Sequence, residues 1–206
     1  AMFDDGSIPT LRALSATEHR LFATALANGS HAVRTSSAGR LFDAVASLLG
    51  VCHHGEYEGH AACALEFATR RAGDNVAPYP LHLADAREGE PMIVDWEPAI
   101  RCLLADHAAG QPVAISAARF HATLVDAIVR IAATAGIETV ALTGGCFQNP
   151  ALLRLAVSAL AQRGHHPIWN RQIPPNDGGL AAGQLLALTA KTHHREVTRC
   201  ASPSRD

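Results

Sequence analysis

Residues 139–149 read TVALTGGCFQN: a short apolar run, a pair of glycines, and then the start of a helical pattern. The apolar run predicts a β-strand, and Gly164 interrupts the helical pattern before a second short strand, His166–Trp169. A glycine-rich loop at residues 174–179 and a helical pattern at residues 180–190 follow. Strand, loop and helix repeated at this spacing predict an α/β layer with parallel strands, in which ligands bind beyond the carboxyl ends of the strands.

Upstream of that layer the sequence is dominated by helical patterns. Ser15 followed by Glu18 matches a capping box and predicts a helix that continues to residue 27. Serine caps, apolar periodicity and glycine stops predict further helices over residues 38–49, 58–71, 96–107 and 111–135. Short apolar runs on both sides of residues 87–90 predict a β-hairpin. The residues alone therefore predict an α/β chain with many helices around a small mixed sheet.

Composition excludes several classes of function. Only 17% of the 206 residues are charged and the formal net charge is −2, so no basic excess points to nucleic acid as a partner. No apolar run reaches the roughly 20 residues that cross a bilayer, and the polar start does not resemble a signal peptide. The five cysteines form no CxxC pair, which indicates reduced thiols and predicts a cytoplasmic protein that contacts no membrane.

The first candidate site is the loop that begins with Gly144 and Gly145. Glycine has no Cβ, so the backbone there can approach a ligand closely, and free N–H groups at the following helix start attract phosphate. Asn149 can cap that helix or hydrogen-bond a ligand. A tight turn without a ligand explains a glycine pair at least as well, and we expect Cys146 beside it to pack rather than react.

The second candidate site is Asp177 with Gly178 and Gly179. A carboxylate in front of two glycines and a helix can hold a divalent cation beside phosphates. The alternative is that Asp177 only caps the helix, because aspartate is a preferred cap residue. Together, the two loops would supply N–H groups for phosphate and a carboxylate for its cation.

Two acidic residues further upstream complete the set of candidates. Asp43 lies in a helical pattern, where it can accept a hydrogen bond from a ribose hydroxyl or form an ion pair with Arg40. Glu58, next to Gly59, suits the positive end of a helix dipole as plainly as it suits ribose binding.

Several motifs, in the same order along the chain, resemble those of the HypF hydrogenase-maturation carbamoyltransferases. The resemblance runs from about residue 34 to residue 188. Several motifs in register are more specific than any one of them. The motifs are residues 35–45 (TSSAGRLFDAV), 57–59 (YEG), 118–121 (ARFH), 144–149 (GGCFQN) and 174–180 (PPNDGGL).

This resemblance implies the C-terminal part of a Kae1/TsaD-like nucleotide-binding domain with the actin/Hsp70-like (ASKHA, RNase H-like) fold. HypF proteins convert carbamoyl phosphate and ATP to carbamoyl adenylate. They pass the carbamoyl group to the C-terminal cysteine of a partner, HypE, where it becomes the cyanide ligands of [NiFe] hydrogenase. The implied cofactors are therefore ATP and a divalent metal, Mg or Fe, and the implied partner is a HypE-type acceptor protein.

The resemblance also implies roles for single residues. Glycines of the second loop would shape the metal site as well as contact the nucleotide. The implied nucleotide-binding residues are Gly144, Gly145, Asn149, Glu58, Gly59, Asp43, Gly178 and Gly179. The implied metal ligand is Asp177.

The sequence departs from the family pattern in ways that matter for activity. The family's acylphosphatase-like, zinc-finger and YrdC-like domains are missing from these residues, so zinc is implied only in domains outside this chain. The paired-histidine metal motif of the family is expected in the other half of the nucleotide-binding domain, and His60 replaces an expected glutamine. We predict an N-terminal helical segment at residues 1–34, the C-terminal lobe at 35–190 and a polar tail at 191–206. We expect this chain alone to be inactive as a transferase.

Two other functions stay open at this point. One is a tRNA threonylcarbamoyl-transfer protein from the sister group, which the missing basic excess and the motifs at residues 35–43 and 147–149 disfavour. The other is a catalytically silent lobe that only binds nucleotide or a partner protein.

Overall fold

The computed structural model describes residues 6–29, 35–73, 76–84 and 91–189. Helices dominate this part of the chain, as the sequence predicts. None of them is long and apolar enough to cross a membrane. The helices are α1 (Pro9–Ala13), α2 (Ala16–Ala27), α3 (Ala38–Leu48), α4 (His60–Thr69), α5 (Glu97–Ala108), α6 (Val113–Ala135), α7 (Pro150–Gln162) and α8 (residues 180–189).

Four short strands form two separate sheets among the described residues. Strands β1 (His82–Ala84) and β2 (Ile93–Asp95) pair antiparallel, and β3 (Thr139–Leu142) and β4 (His166–Trp169) pair parallel. The predicted hairpin pairing and parallel layer are confirmed, but the single mixed sheet is wrong. The hairpin ends where Asp95 Oδ1 accepts the N–H of Glu97 at 2.9 Å, and the chain turns directly into α5 without extending toward β3.

Helix α6 is the centre of the core. It is 23 residues long, and α4, α5 and α7 pack against it. Phe120 of α6 contacts Phe42 of α3 edge to face, with ring centroids 5.2 Å apart and both side chains buried. Helix α3 is thereby fixed against the middle of α6, which matters because α3 carries Asp43.

The capping signals in the sequence place the helix ends well. The Ser15–Glu18 capping box is present, with the Ser15 N–H donating to the Glu18 carboxylate at 2.8 Å, and Ser37 caps α3. Helix α4 begins at His60 rather than Glu58, because Gly59 adopts the left-handed conformation (φ 81°) that a right-handed helix cannot continue. It ends at Thr69, two residues before the predicted end.

Three sequence predictions lie partly or wholly outside the described residues. They are the turn at residues 87–90, the polar tail at 191–206 and the domain boundary between residues 34 and 35. These stay predictions. The first helix, α1, does pack against α3, where Thr10 Oγ1 and Ser47 Oγ are 3.0 Å apart.

Two residues of the 118–121 motif stabilise the fold. Arg119 donates to Asp106 Oδ2 at 2.6 Å, and its guanidinium lies 4.0 Å from the centre of the Tyr79 ring. The Tyr79 hydroxyl donates to the same carboxylate oxygen at 2.8 Å, and burial is the main cause that raises the pKa of Tyr79 to about 12. Ala118 and Phe120 are buried in the core, and His121 contacts Asn149.

Candidate functional site

The two glycine-bearing loops meet at the carboxyl ends of β3 and β4. The N–H of Gly144 donates to the carbonyl oxygen of Pro175 at 2.9 Å. A Cβ placed on Gly145 would lie 3.9 Å from Cβ of Asn176, so the second glycine also faces the other loop. The convergence that the sequence predicts is therefore present, and residues separated by about thirty positions form one surface.

The first loop leaves backbone donors uncovered. Gly144 adopts a φ of 100°, which only glycine adopts readily, and a 3₁₀ turn (Gly145–Gln148) rather than α7 follows at once. The N–H groups of Phe147 and Asn149 donate within the loop, to Gly144 and Cys146. The N–H groups of Gly145 and Cys146 donate to no acceptor within the described part of the chain. Two adjacent backbone donors are thus available to an anion.

Asn149 lies at the end of this loop with its side chain turned inward. Its Oδ1 accepts the N–H of Leu152 at 2.9 Å and caps α7, while its Nδ2 is 3.0 Å from Nε2 of His121. The side chain is buried, with 8% of the residue exposed. The capping alternative is therefore confirmed. Direct contact of Asn149 with a nucleotide stays a prediction, and the observed contacts favour a role in positioning the loop.

The second loop presents Asp177 to solvent. Asn176, not Asp177, caps the short 3₁₀ turn (Asp177–Gly179), because Asn176 Oδ1 accepts the N–H of Gly178 at 3.2 Å. The alternative in which Asp177 only caps a helix is therefore wrong. Its carboxylate is exposed and accepts no hydrogen bond from another described residue.

Of the two glycines after Asp177, Gly179 is the one that the shape of the loop requires. A Cβ on Gly179 would lie 2.5 Å from the carbonyl oxygen of Pro174, a distance that backbone atoms cannot tolerate. A Cβ on Gly178 would lie 3.1 Å from Asn176 Oδ1. Whether either glycine also contacts a nucleotide stays a prediction.

The Asp177 carboxylate suits a cation that also binds phosphate oxygens. Carboxylate oxygen is the ligand that hard divalent cations prefer, and Mg²⁺ in particular binds through one or two carboxylates together with substrate phosphates. Within the described ranges, no three His, Cys, Asp or Glu side chains are grouped as metal ligands. Asp177 would therefore act together with phosphate and water oxygens.

A cavity of about 570 Å³ brings together three of the residues for which the family resemblance implies nucleotide binding. Asp43, Glu58 and Gly59 all line it. Asp43 also pairs with Arg40 at 3.0 Å, as the alternative interpretation predicted. With Arg40 63% and Asp43 35% exposed, this pair contributes little stability, so Asp43 remains available to a ligand.

Two aromatic side chains of this cavity, Tyr57 and His60, belong to a motif that the sequence analysis named, but no role was predicted for their rings. The rings of Tyr57 and His60 stack with centroids 4.6 Å apart and an interplanar angle of 16°, and both line the cavity. His60 Nδ1 accepts the N–H of Glu56 at 3.2 Å, which fixes the ring. The signal that could have identified them is a tyrosine and a histidine on either side of the Glu58-Gly59 pair.

The cavity adjoins the first glycine loop. Helix α3 packs on the 3₁₀ turn, and the charge of Asp43 acts on the Cys146 thiol. Burial first, and then the negative charge of Asp43, raise the pKa of Cys146 above its ordinary value. A raised pKa keeps the thiol protonated, so Cys146 is unsuited to act as a nucleophile, in agreement with the packing role expected for it.

The buried imidazole of His121 makes the stability of the protein depend on pH. Burial lowers the pKa of His121 below its usual 6.5 in the folded state. Below pH 6.5 the unfolded chain therefore takes up a proton that the folded chain does not. As the pH is lowered, the free energy of unfolding decreases until the pH reaches the folded-state pKa of His121. We expect the wild-type chain to lose more stability than His121→Gln between about pH 7.5 and about pH 5.5 in urea denaturation. Equal losses would contradict a neutral, buried His121.

With this geometry established, comparison with known proteins identifies the family. Residues 3–184 match the family model described as "Carbamoyltransferase, Kae1-like Domain, second subdomain". This chain belongs to the HypF carbamoyltransferase family. The actin/Hsp70-like α/β fold class that the motifs implied is confirmed by the same finding and by solved HypF structures.

Relatives in the HypF family match over most of this chain. Carbamoyltransferase HypF of Synechocystis is 43% identical over 153 residues, which cover 74% of this chain and 19% of the relative. The HypF homolog of Cupriavidus necator is 35% identical over 191 residues, which cover 86% of this chain and 48% of the relative. The chain therefore spans between about a fifth and about half of the length of these relatives.

Two solved structures share the fold. Full-length HypF in a phosphate- and nucleotide-bound form superposes with a TM-score of 0.77 at 30% identity, over 89% of this chain and 24% of that protein. HypF of T. kodakarensis superposes with a TM-score of 0.66 at 25% identity, over 82% of this chain and 21% of that protein.

Proposed function

We propose that this chain supplies the phosphate- and metal-binding side of an ATP-dependent carbamoyltransferase. The complete enzyme forms carbamoyl adenylate from carbamoyl phosphate and ATP and transfers the carbamoyl group to the C-terminal cysteine of a HypE-type acceptor protein. The observation that carries the proposal is the meeting of the Gly144 loop with the Asp177 loop, joined by the hydrogen bond from Gly144 to Pro175. Membership of the HypF family supports a carbamoyltransferase reaction.

The chain's own residues bind and orient the polyphosphate. The N–H groups of Gly145 and Cys146 have no acceptor among the described residues, and they can donate to phosphate oxygens. Hydrogen bonds from preorganised backbone donors to charged oxygens require no rearrangement when the ligand binds. A divalent cation held beside Asp177 would neutralise charge on the phosphate oxygens during adenylyl transfer.

The cavity next to the loop suits the nucleoside. Asp43 and Glu58 provide carboxylates that accept hydrogen bonds from ribose hydroxyls, and the Tyr57–His60 stack provides a flat aromatic wall for a base. The contact between α3 and the 3₁₀ turn connects the cavity to the phosphate loop. The relative that was solved with phosphate and nucleotide bound, at 30% identity, supports nucleotide binding in this chain.

Titration of the chain with a non-hydrolysable ATP analogue tests the proposal. We expect binding by calorimetry, and stronger binding in the presence of Mg²⁺, because Asp177 and the phosphates would share the cation. Equal affinity with and without Mg²⁺ would show that a cation shared by Asp177 and the phosphates does not contribute to binding. Failure to bind both in this chain and in a protein that contains the whole Kae1-like domain would overturn the nucleotide site.

Replacing Gly145 with valine is expected to weaken binding of the ATP analogue. The added side chain points toward Asn176, where a Cβ would have room at 3.9 Å, so the fold tolerates it while the branched methyl groups fill the space between the loops. Loss of one hydrogen bond to a charged phosphate costs about 1.5–3 kcal/mol, which is about tenfold or more in Kd.

The matched control for this variant is Gly183→Ala. Gly183 lies in α8 and has no neighbour within 4 Å of an added Cβ. We expect the control to bind the ATP analogue like the wild type. Unchanged affinity in Gly145→Val, measured in a protein with the complete Kae1-like domain, would count against the phosphate-loop assignment.

The two alternative functions differ from the proposal in measurable ways. A tRNA threonylcarbamoyl-transfer protein would need a tRNA-binding surface, whereas this chain carries a net charge of −2 and its relatives are named HypF. A catalytically silent lobe would bind the ATP analogue but would add nothing to transferase turnover. Reconstitution with the remaining HypF domains separates these functions, and a cytoplasmic location also stays a proposal.

A further inference from the structure

His121 is a fully buried polar residue in the middle of α6. Its Nδ1 lies 2.8 Å from the carbonyl oxygen of Ala117, and its Nε2 lies 3.0 Å from Nδ2 of Asn149. Asn149 in turn joins the phosphate loop to α7. A histidine 28 positions upstream is therefore attached directly to the end of the loop that carries the free N–H groups.

The protonation of this pair follows from its partners. A carbonyl oxygen only accepts, so His121 Nδ1 must carry the hydrogen. In the neutral ring Nε2 is then an acceptor, and it receives an N–H from the Asn149 amide. That leaves Asn149 Oδ1 to accept the N–H of Leu152, as observed at 2.9 Å. Only one orientation of the Asn149 amide lets its nitrogen donate to His121 Nε2 while its oxygen accepts from Leu152. Burial keeps the ring neutral by lowering the pKa of His121.

Neither residue type is explained by packing or capping alone. The His121 ring contacts Phe42 edge to face at 5.4 Å, and an apolar ring would pack there without the need for polar partners. Serine caps a helix about as well as asparagine does, yet only the longer amide side chain of Asn149 reaches Nε2. The His121–Asn149 pair therefore has a role in addition to packing in the core and capping α7.

We infer that His121 is a positioning residue that orients the Asn149 amide and thereby holds the 3₁₀ turn, so that the N–H groups of Gly145 and Cys146 face the ligand. The last step rests on the proposed function, because it assumes that the ligand is a polyphosphate. The orientation of the loop does not depend on that assumption and can be measured without a nucleotide.

Three substitutions in the 206-residue chain separate positioning from stability. Asn149→Ser keeps the cap and removes the contact with His121. His121→Gln places an amide oxygen where Nε2 was and keeps an acceptor for Asn149. His121→Asn keeps a donor for Ala117 but is too short to reach Asn149.

Nitrogen-15 NMR of the wild type is expected to show one neutral tautomer with the proton on Nδ1. We expect the amide signals of Gly145 and Cys146 to shift in Asn149→Ser and in His121→Asn, and to stay close to the wild type in His121→Gln. The melting temperature of Asn149→Ser should change little, since the cap is kept. A proton on Nε2, or unchanged loop signals in both Asn149→Ser and His121→Asn, would overturn the inference.

Affinity for a non-hydrolysable ATP analogue with Mg²⁺ provides the second measurement. We expect a loss of about tenfold in Asn149→Ser and in His121→Asn, which corresponds to about 1.4 kcal/mol, and near wild-type affinity in His121→Gln. An equal loss of affinity in all three variants would indicate that His121 only stabilises the fold, and it would contradict a positioning role. If neither the wild-type chain nor a protein with the whole Kae1-like domain binds the analogue, the proposed function fails, while the NMR result still decides whether His121 orients the loop.

Discussion

Replacing Asp177 with alanine is expected to lower ATP- and carbamoyl-phosphate-dependent turnover by on the order of a hundredfold or more. The reason is that removing a group that only supports a metal ligand already costs about 10–100-fold in activity, and Asp177 is proposed as a direct ligand. The assay requires the complete Kae1-like domain together with the other HypF domains. Asp177→Asn should lose nearly as much turnover, because it keeps the shape of the side chain and removes its charge.

The fold is expected to survive this substitution. Asp177 is exposed, its carboxylate has no hydrogen-bond partner elsewhere in the described residues, and Asn176 caps the turn in its place. The melting temperature should therefore match that of the wild type. Glu138→Ala is a suitable control, since Glu138 lies just before β3, at the opposite end of the strand from the loop. Retained turnover in Asp177→Ala would remove this residue from the mechanism.

Replacing Phe42 with alanine is expected to lower the free energy of unfolding by about 3–5 kcal/mol. Phe42 is 1% exposed, and its ring contacts Phe120 at 5.2 Å and His121 at 5.4 Å between centroids. The substitution leaves a cavity where α3 meets the middle of α6. Urea denaturation measures the change.

The control for Phe42 is another phenylalanine that the fold leaves exposed. Phe22 of α2 is 47% exposed, and we expect Phe22→Ala to change stability by less than about 0.5 kcal/mol. Similar losses in both variants would contradict the assignment of the core. Because Asp43 follows Phe42 in α3, the core variant should also weaken nucleotide binding, whereas the exposed one should not.

Local signals allowed the sequence to predict much of the fold. The Ser15–Glu18 capping box depends on residues three positions apart, and Gly164 separates α7 from β4 by its own conformation. The two glycine loops begin within a few residues of the ends of β3 and β4, so parallel pairing of these strands brings the loops to one edge. Predictions of this kind need no knowledge of the tertiary structure.

Contacts between residues distant in the sequence could not be predicted in the same way. Nothing near His121 indicates that it meets Asn149, because that contact depends on how α6 and α7 pack. The sequence predicts α7 from Asn149, and the helix does begin at Pro150, which has no N–H to donate and occupies the first helical position. The 3₁₀ turn at Gly145–Gln148, between the glycine pair and α7, was not predicted.

The candidate site itself was predicted in outline but not in detail. Asp43, Glu58 and Gly59 do line one cavity, yet the stacked Tyr57 and His60 rings become visible only in the structure. A stack of two rings three positions apart depends on Gly59 in the left-handed conformation, which turns the chain between them into α4. The sequence alone does not specify that geometry.

The most direct test of the account uses Mn²⁺ with a non-hydrolysable ATP analogue and nitrogen-15 NMR of the chain. A paramagnetic ion bound between the phosphates and the carboxylate must broaden both loops at once. We predict that the amide signals of Gly145, Cys146, Asp177 and Gly178 broaden together, while those of the β1–β2 hairpin stay sharp. Broadening confined to one loop, or located elsewhere in the chain, would contradict a shared phosphate and cation site.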